Sequence, residues 1–99
     1  MKKRKQTKRR PVLLTTEYRG VFFGFAEKTS GDTVTLHDAR NCIYWSKDVG
    51  GFAGLASLGP TTSCRIGRVV SQIELRKVNS VSEVSDMALK AWTAAPVWQ

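Results

Sequence analysis

Segments rich in β-branched and aromatic residues alternate along the chain with short turn segments, which predicts a mainly β protein. The first three of these segments are Val12–Tyr18, Val21–Glu27 and Thr33–Trp45. The connections between them, Arg19-Gly20 and residues 29–32, are short. Short connections predict that the three strands form an antiparallel meander.

Two local features indicate how this sheet is shaped. In the third segment, Val34 and Leu36 fall on one face and the polar residues between them on the other, which predicts a sheet with one buried side. Gly24 lies inside the second segment, where a glycine typically marks a bulge, a bend or a close backbone contact. A strongly bent second strand is what the closure of a small barrel requires.

The second half of the chain predicts two further strands. They are expected at Cys64–Val70 and Gln72–Val84, and a change of apolar period predicts a bulge or a break near Asn79-Ser80 in the longer one. Before them, residues 46–64 form a glycine-rich excursion. Gly51–Ala56 is predicted to make a helical turn within it.

One C-terminal helix is predicted at Asp86–Ala94. Ser85 is a suitable N-cap, and the negative charge of Asp86 in the first turn interacts favourably with the helix dipole. Leu89 and Trp92 are expected to pack this helix on the sheet, and Pro96 prevents its continuation.

The predicted fold class is therefore mainly β (α+β), an antiparallel barrel of five to six strands with one C-terminal helix. The order of the first three strands resembles that of SH3-like and Sm-like small barrels, over about a third of the chain. Such barrels bind peptides or nucleic acids and often form rings. A chain of 99 residues makes one core, so residues 11–99 are predicted to be a single domain.

The net charge of +8 is concentrated at the N-terminus. Seven of the sixteen basic residues lie in the first ten positions: Lys2, Lys3, Arg4, Lys5, Lys8, Arg9 and Arg10. Subtracting these seven leaves nine basic against eight acidic residues in the rest of the chain. Residues 1–10 therefore predict a basic arm that is disordered when free and binds nucleic acid or another polyanion.

The same arm residues also fit a solubilising tail or a nuclear import signal. Neither a groove-reading helix nor a recognised RNA motif is present, so the sequence does not distinguish DNA from RNA. An apolar run long enough for a signal peptide does not follow the arm, which predicts an unexported protein. No membrane span is expected, since one needs about 20 apolar residues.

The cysteines and the histidine do not indicate a metal or redox centre. Cys42 and Cys64 are expected to be reduced thiols, with a bridge between them as the less favoured alternative. A metal site made of Cys42, Cys64 and His37 is not favoured, because these residues lack the paired spacing of metal-binding motifs and no fourth ligand is evident. His37 and its neighbour Asp38 point to opposite faces of a strand, which argues against a local catalytic dyad, so we expect neither a cofactor nor an enzymatic activity.

A candidate binding site lies within Leu36–Pro60, where polar groups, aromatic residues and four glycines occur together. Apolar walls with a few convergent polar groups are typical of a ligand or partner pocket. The predicted site residues are Arg40, Asn41, Tyr44, Trp45 and Phe52.

Each of these residues also has a purely structural interpretation. Arg40 offers a fork for phosphate or carboxylate, but it could equally pair with Asp38 or Asp48. Asn41 could orient a ligand or satisfy a turn. Tyr44 and Trp45 face opposite sides of a strand, so one lines the core and the other is a candidate stacking platform.

Several short motifs together resemble a family of small uncharacterised proteins encoded by bacteriophages and prophages. They are Arg19–Gly24, Ala39–Ser46, Gly51–Ala56, Gly59-Pro60 and Ala91-Trp92. The resemblance covers Pro11 to Trp92. It implies a compact domain and a location in the cytoplasm of a bacterial host or in the virion, and it assigns no activity.

The leading hypothesis is a non-enzymatic phage-encoded binding protein whose arm engages a polyanion and whose core docks a partner. One alternative is a virion or assembly component, in which the arm contacts neighbouring subunits of a homo-oligomer or of other proteins. A second alternative is a counter-defence protein that sequesters a small nucleotide or inhibits a host protein.

Overall fold

The sheet and helices follow the predicted order of elements. The computed structural model describes residues 9–17 and 20–98. Six strands are present in this part of the chain: β1 (Arg10–Thr16), β2 (Val21–Ala26), β3 (Val34–Tyr44), β4 (Arg65–Ile66), β5 (Val70–Leu75) and β6 (Val78–Glu83). A 3-10 turn (Lys47–Val49) and two helices, α1 (Gly51–Ser57) and α2 (Asp86–Ala94), complete the described fold.

All six strands belong to one antiparallel sheet. The predicted meander β1–β2–β3 is confirmed, β6 pairs with the outer edge of β1, and β4 and β5 pair with successive halves of β3. The mostly β fold with a C-terminal helix is thus confirmed. In the described residues β5 and β6 do not pair with each other, so the sheet is not closed into the predicted barrel.

A bulge in β3 lies opposite Gly24. The register between β2 and β3 shifts at this position, and Asp38 adopts a φ of 49°. A Cβ added to Gly24 would lie only 3.0 Å from Cβ of Leu36 and 3.3 Å from Cα of Ala39. The prediction of a bulge and a close backbone contact at Gly24 is confirmed.

The bulge changes which β3 residues face each side of the sheet. Before it, Val34 and Leu36 belong to one buried cluster, and after it, Cys42 belongs to another. The first cluster is lined by residues from five strands: Val12, Leu14, Ala26, Val34, Leu36, Ala39, Leu75 and Val78. Strands from both ends of the sheet meet in this cluster, so the sheet is curled.

The second buried cluster lies between the sheet and the two helices. Its centre is Trp92, which is fully buried and stacks on Phe23 with ring centroids 5.1 Å apart. The indole Nε1 of Trp92 donates to the carbonyl of Leu55 in α1 at 3.0 Å. The sequence predicts a sheet with one buried face. This prediction is wrong, because α1 and α2 cover the second face and both faces contribute to a buried cluster.

Helix α2 begins and ends where the sequence predicts. Ser85 is the N-cap, and its Oγ accepts from the backbone N–H of Ala88 at 3.0 Å. Trp92 anchors the helix as expected, whereas Leu89 is only partly buried against the cluster. The predicted turn at Gly51–Ala56 is confirmed as α1.

The predicted irregularity near Asn79-Ser80 is confirmed as a bulge, since Thr15 pairs with Ser80 and Thr16 with Val78, so that the register shifts past Asn79. The predicted strand Gln72–Val84 is nevertheless two strands, and the chain breaks between them at Arg76-Lys77. Lys77 has a φ of 58°, and its carbonyl accepts from the N–H of Glu17 at 3.0 Å. The N–H of Val78 donates to the backbone carbonyl of Asp32 at 2.9 Å. The chain turns here because β5 pairs with β3 while β6 must reach β1, a constraint that the apolar period does not contain.

Replacing Gly24 by alanine is expected to destabilise the fold by about 1–3 kcal/mol, because the new methyl group would push Leu36 and the β3 backbone apart. Gly67 is the matched control, since a Cβ there would meet nothing closer than 3.5 Å. Urea unfolding followed by tryptophan fluorescence measures both variants. Equal free energies of unfolding for Gly24→Ala and Gly67→Ala would contradict the close contact.

Candidate functional site

Arg40 is a buried cation whose side chain is bonded to the backbone. It is 4% exposed, and its Nε donates to the carbonyl of Gly67 at 2.9 Å. Its Nη1 donates to the carbonyls of Trp92 at 2.9 Å and Ala95 at 2.5 Å, which lie at the C-terminal end of α2. A helix leaves its last carbonyls without internal partners and favours positive charge there. Arg40 therefore caps α2.

This environment decides between the interpretations of Arg40. Burial lowers the pKa of the guanidinium, and its bonded partners are carbonyls instead of the predicted Asp38 or Asp48. Nη2 is buried and has no hydrogen-bond partner among the described residues. The structure places Arg40 in the core, away from any exposed binding surface.

The contacts of Arg40 also position the C-terminal segment beside β4. Ala95 is held by the guanidinium, and three residues later the N–H of Trp98 donates to the carbonyl of Ile66 at 2.9 Å. The segment after α2 thus runs along β4. This brings the indole of Trp98 to the end of the sheet where Tyr44 lies.

Tyr44, Arg65 and Trp98 form a surface cluster that we term the aromatic–arginine platform. The guanidinium carbon of Arg65 lies 5.4 Å from the ring centroid of Tyr44 and 5.1 Å from that of Trp98. Tyr44 and Trp98 are each 48% exposed. Cation–π contacts of this kind hold a guanidinium in a fixed orientation at the surface.

The strand register explains how the platform forms. Cys42 pairs with Ile66, and both side chains point into the core between sheet and helices. The register then shifts, so that Tyr44 pairs with Arg65. The shift leaves Ile43 and Tyr44 both about half exposed, and Tyr44 lies beside the arginine.

A second surface feature, the apolar groove, lies on the same part of β3. It has a volume of about 330 Å³ and is lined by Phe22, Ala39, Asn41, Ile43, Gly67, Arg68, Val70 and Ile73. Ile43 and Val70 remain about half exposed in it. Its one charged lining residue is Arg68, so both the groove and the platform carry positive charge.

The five residues predicted as a site separate into three places. Tyr44 is on the platform, and Asn41 is exposed at the groove. Trp45 and Phe52 are partly buried and pack against the core beneath the helices. The prediction that Tyr44 and Trp45 occupy opposite environments is confirmed, and Tyr44 is the exposed member.

Arg65, Arg68 and Trp98 were missed by sequence reasoning. A signal for the arginines was present, because the chain has no acidic residue between Asp48 and Glu74. No comparable signal exists for Trp98, since its contact with Arg65 depends on where Arg40 holds the end of α2.

Two residues of the predicted basic arm are described. Arg9 pairs with Glu27, with 3.1 Å between Nε and Oε2, and Arg10 donates to Oγ1 of Thr29 at 2.8 Å. Both arginines are exposed beside the β2–β3 loop. The other predicted arm residues lie outside the described part of the chain: Lys2, Lys3, Arg4, Lys5 and Lys8.

Arg10, the last residue of the arm, and the platform lie at opposite ends of β3. Arg10 pairs with Ala26, next to the start of β3, whereas Tyr44 is its last residue. From Leu36 to Tyr44 a strand rises about 26 Å at 3.3 Å per residue. One ligand must therefore be extended to contact both features.

The two cysteines are free thiols in the structure. Burial, and to a smaller extent the neighbouring Cys64, raises the pKa of the Cys42 thiol to about 12. A contact of 3.7 Å from its Sγ to the carbonyl of Tyr44 lowers this pKa by a smaller amount.

Residues 9–17 and 20–98 contain no cluster of three side chains suited to bind a metal ion. Within the same residues, no helix is long and apolar enough to span a membrane.

Fold and surface together define a small, mostly β domain with an arginine-capped helix and a basic, aromatic surface at one end of its sheet. The chain belongs to a family whose model is described as a domain of unknown function, DUF6948, and the match covers residues 9–92. This confirms the predicted membership of an uncharacterised family over Pro11–Trp92, and it includes Arg9 and Arg10 of the arm. No curated protein and no solved structure matches the chain.

Replacing Arg40 by methionine is expected to lower the free energy of unfolding by about 3 kcal/mol, because one buried and two partly buried carbonyls lose their donor while the side-chain volume is nearly kept. Arg76→Met is the control, since that side chain is largely exposed and such positions change stability by less than about 0.5 kcal/mol. Urea unfolding measures both. Equal stability of the two variants would contradict the capping role of Arg40.

The Cys42 thiol is expected to make stability depend on alkaline pH. The folded state keeps a proton that the unfolded thiol loses above about pH 8.5, so this contribution is complete below that pH and is lost as the pH rises towards 12. Unfolding free energies measured from about pH 8 to 10.5 should fall more steeply for the natural chain than for Cys42→Ala. Parallel profiles would show that this thiol is not responsible.

Proposed function

We propose that this protein is a non-enzymatic binding protein whose N-terminal arm engages nucleic acid or another polyanion and whose folded domain docks a partner. The observation that carries the proposal is the distribution of charge. Seven of sixteen basic residues fall in the first ten positions, whereas the rest of the chain is close to neutral. Such an asymmetry favours a polyanion contacted by the arm.

The described end of the arm is compatible with this role. Arg9 and Arg10 are exposed, and each is held by one contact to the β2–β3 loop. An exposed ion pair of this kind contributes little to stability, so a phosphate could replace Glu27 as the partner of Arg9 at little cost. The affinity would be independent of sequence and would apply to DNA and RNA alike.

The proposal extends to the type of domain and its setting. We infer that the curled sheet is a variant of the SH3-like or Sm-like small barrels. The meander, the bulge in β3 opposite Gly24 and the tight connection between β5 and β6 support this inference. The proposed setting is a bacteriophage protein that acts in the cytoplasm of the bacterial host.

A second candidate function, a virion or assembly component, is favoured by one observation. Ile43 on β3, Val70 at the start of β5 and Val69 just before it are each about half exposed. Exposed apolar residues that adjoin one another are typical of contacts between subunits. Light scattering over a concentration series would reveal self-association, and charged substitutions at Val69 and Val70 should abolish it.

Replacing the arm residues Lys2, Lys3, Arg4, Lys5 and Lys8 by glutamine in the full chain is expected to weaken binding to a random-sequence duplex. If all five contact phosphates, the slope of log affinity against log salt becomes shallower by about 4.5. Fluorescence anisotropy with a labelled duplex, across a salt series, measures both the affinity and the slope.

The matched control neutralises exposed lysines of the folded domain, Lys28, Lys47 and Lys90, in the same way. This variant should keep the salt slope of the natural chain. No binding of duplex or single strand by the natural chain at low salt would overturn the nucleic-acid proposal and leave assembly as the better candidate.

A further inference from the structure

The aromatic–arginine platform has the chemistry of a second ligand contact, separate from the arm. From its geometry we infer that it binds single-stranded nucleic acid, with Arg65 contacting a phosphate and Tyr44 or Trp98 stacking on an unpaired base. This inference rests on the proposed function, because it assigns a site on the folded domain to the same class of ligand.

Arg65 is oriented for an anion that the described chain does not supply. Its guanidinium carbon lies over the rings of both Tyr44 and Trp98, and contacts of this kind leave the N–H groups at the edge of the guanidinium free to donate. Within residues 9–17 and 20–98 the ion pairs involve Arg9, Arg76 and Lys77, and none involves Arg65. A planar, fixed fork without an acidic partner is suited to a phosphate or carboxylate oxygen pair.

The two aromatic rings favour a nucleic acid over an acidic peptide. Tyr44 and Trp98 each keep nearly half of their surface exposed although one side of each ring faces Arg65. Exposed aromatic faces next to a cation bind bases by stacking, which every base can do. A carboxylate would use only the arginine and leave both rings exposed to water.

The bases must be unpaired for this contact. In a duplex, each base is already stacked on its neighbours and only its edges are accessible in the grooves. A ring at the protein surface reaches a base face only in a single strand or a loop. The platform should therefore distinguish single strand from duplex, whereas the arm should bind both through their phosphates.

The separation of the two sites adds a dependence on ligand length. The platform is about 26 Å along β3 from the point where the arm ends at Arg10. A strand that spans this distance can contact both sites at once, so the second contact becomes intramolecular. A strand too short to span it can occupy only one site.

The test uses the full chain and four labelled probes: a mixed-sequence single strand of about 20 nucleotides, one of about 3 nucleotides, a duplex of about 20 base pairs, and polyglutamate. The variants are Trp98→Ala, Tyr44→Ala and Arg65→Lys, which keeps the charge and loses the planar fork. Arg76→Lys is the matched control, because Arg76 is exposed and pairs with Glu74 instead of aromatic rings. Circular dichroism melts confirm that each variant is folded.

The expected result is that Trp98→Ala and Arg65→Lys weaken binding of the long single strand about tenfold and change duplex binding less than twofold. The natural chain should bind the long strand much more tightly than the short one. Arg76→Lys should change neither affinity. Should Trp98→Ala unfold the domain, Tyr44→Ala and Arg65→Lys provide the same comparison.

Failure of this inference is distinguishable from failure of the proposed function. If neutralising the arm abolishes binding while the platform variants bind like the natural chain, the arm alone contacts nucleic acid and the inference is overturned. If the platform variants instead lose binding to polyglutamate and keep binding to single strands, the platform recognises an acidic protein and the inference is also overturned. If the natural chain binds no probe at low salt, both fail.

Discussion

The three hydrogen bonds from the buried guanidinium of Arg40 are the interaction on which the rest of this structure depends. They connect β3 to the backbone at Gly67 and to the carbonyls of Trp92 and Ala95 at the end of α2. A buried charge costs free energy unless its donors are matched, and helix-end carbonyls are suitable partners because they need donors and favour a cation. The position of α2 on the sheet, and of the segment after it, follows from this contact.

Arg40 can make these bonds only because β3 contains a bulge. Asp38 in a left-handed conformation, opposite Gly24, moves the residues after it to the other face of the sheet. Without that change Arg40 would point into the apolar cluster that contains Val34 and Leu36. The backbone irregularity at Gly24 and the capping of α2 are thus parts of one arrangement.

The two basic features of the protein differ in the physics of recognition that we propose for them. The arm concentrates charge, which gives affinity through counterion release and carries no geometric requirement. The platform has one cation, but Tyr44 and Trp98 fix its orientation and add stacking surface. The arm would supply affinity and the platform selectivity. An oriented guanidinium beside aromatic rings can discriminate between polyanions that carry the same charge, which the arm alone cannot do.

Sequence alone determined the features that depend on neighbouring residues. Short connections specified the meander, Ser85 specified the start of α2, and side-chain alternation predicted that Tyr44 and Trp45 occupy opposite environments without deciding which of them is exposed. These follow from local propensity, capping and side-chain direction, which act within a few residues. Tertiary structure decided the role of Arg40, the turn at Lys77 and the meeting of Arg65 with Trp98. Each of these depends on contacts between residues far apart in the chain, and the distances between such residues are set only when the sheet curls and α2 packs on it.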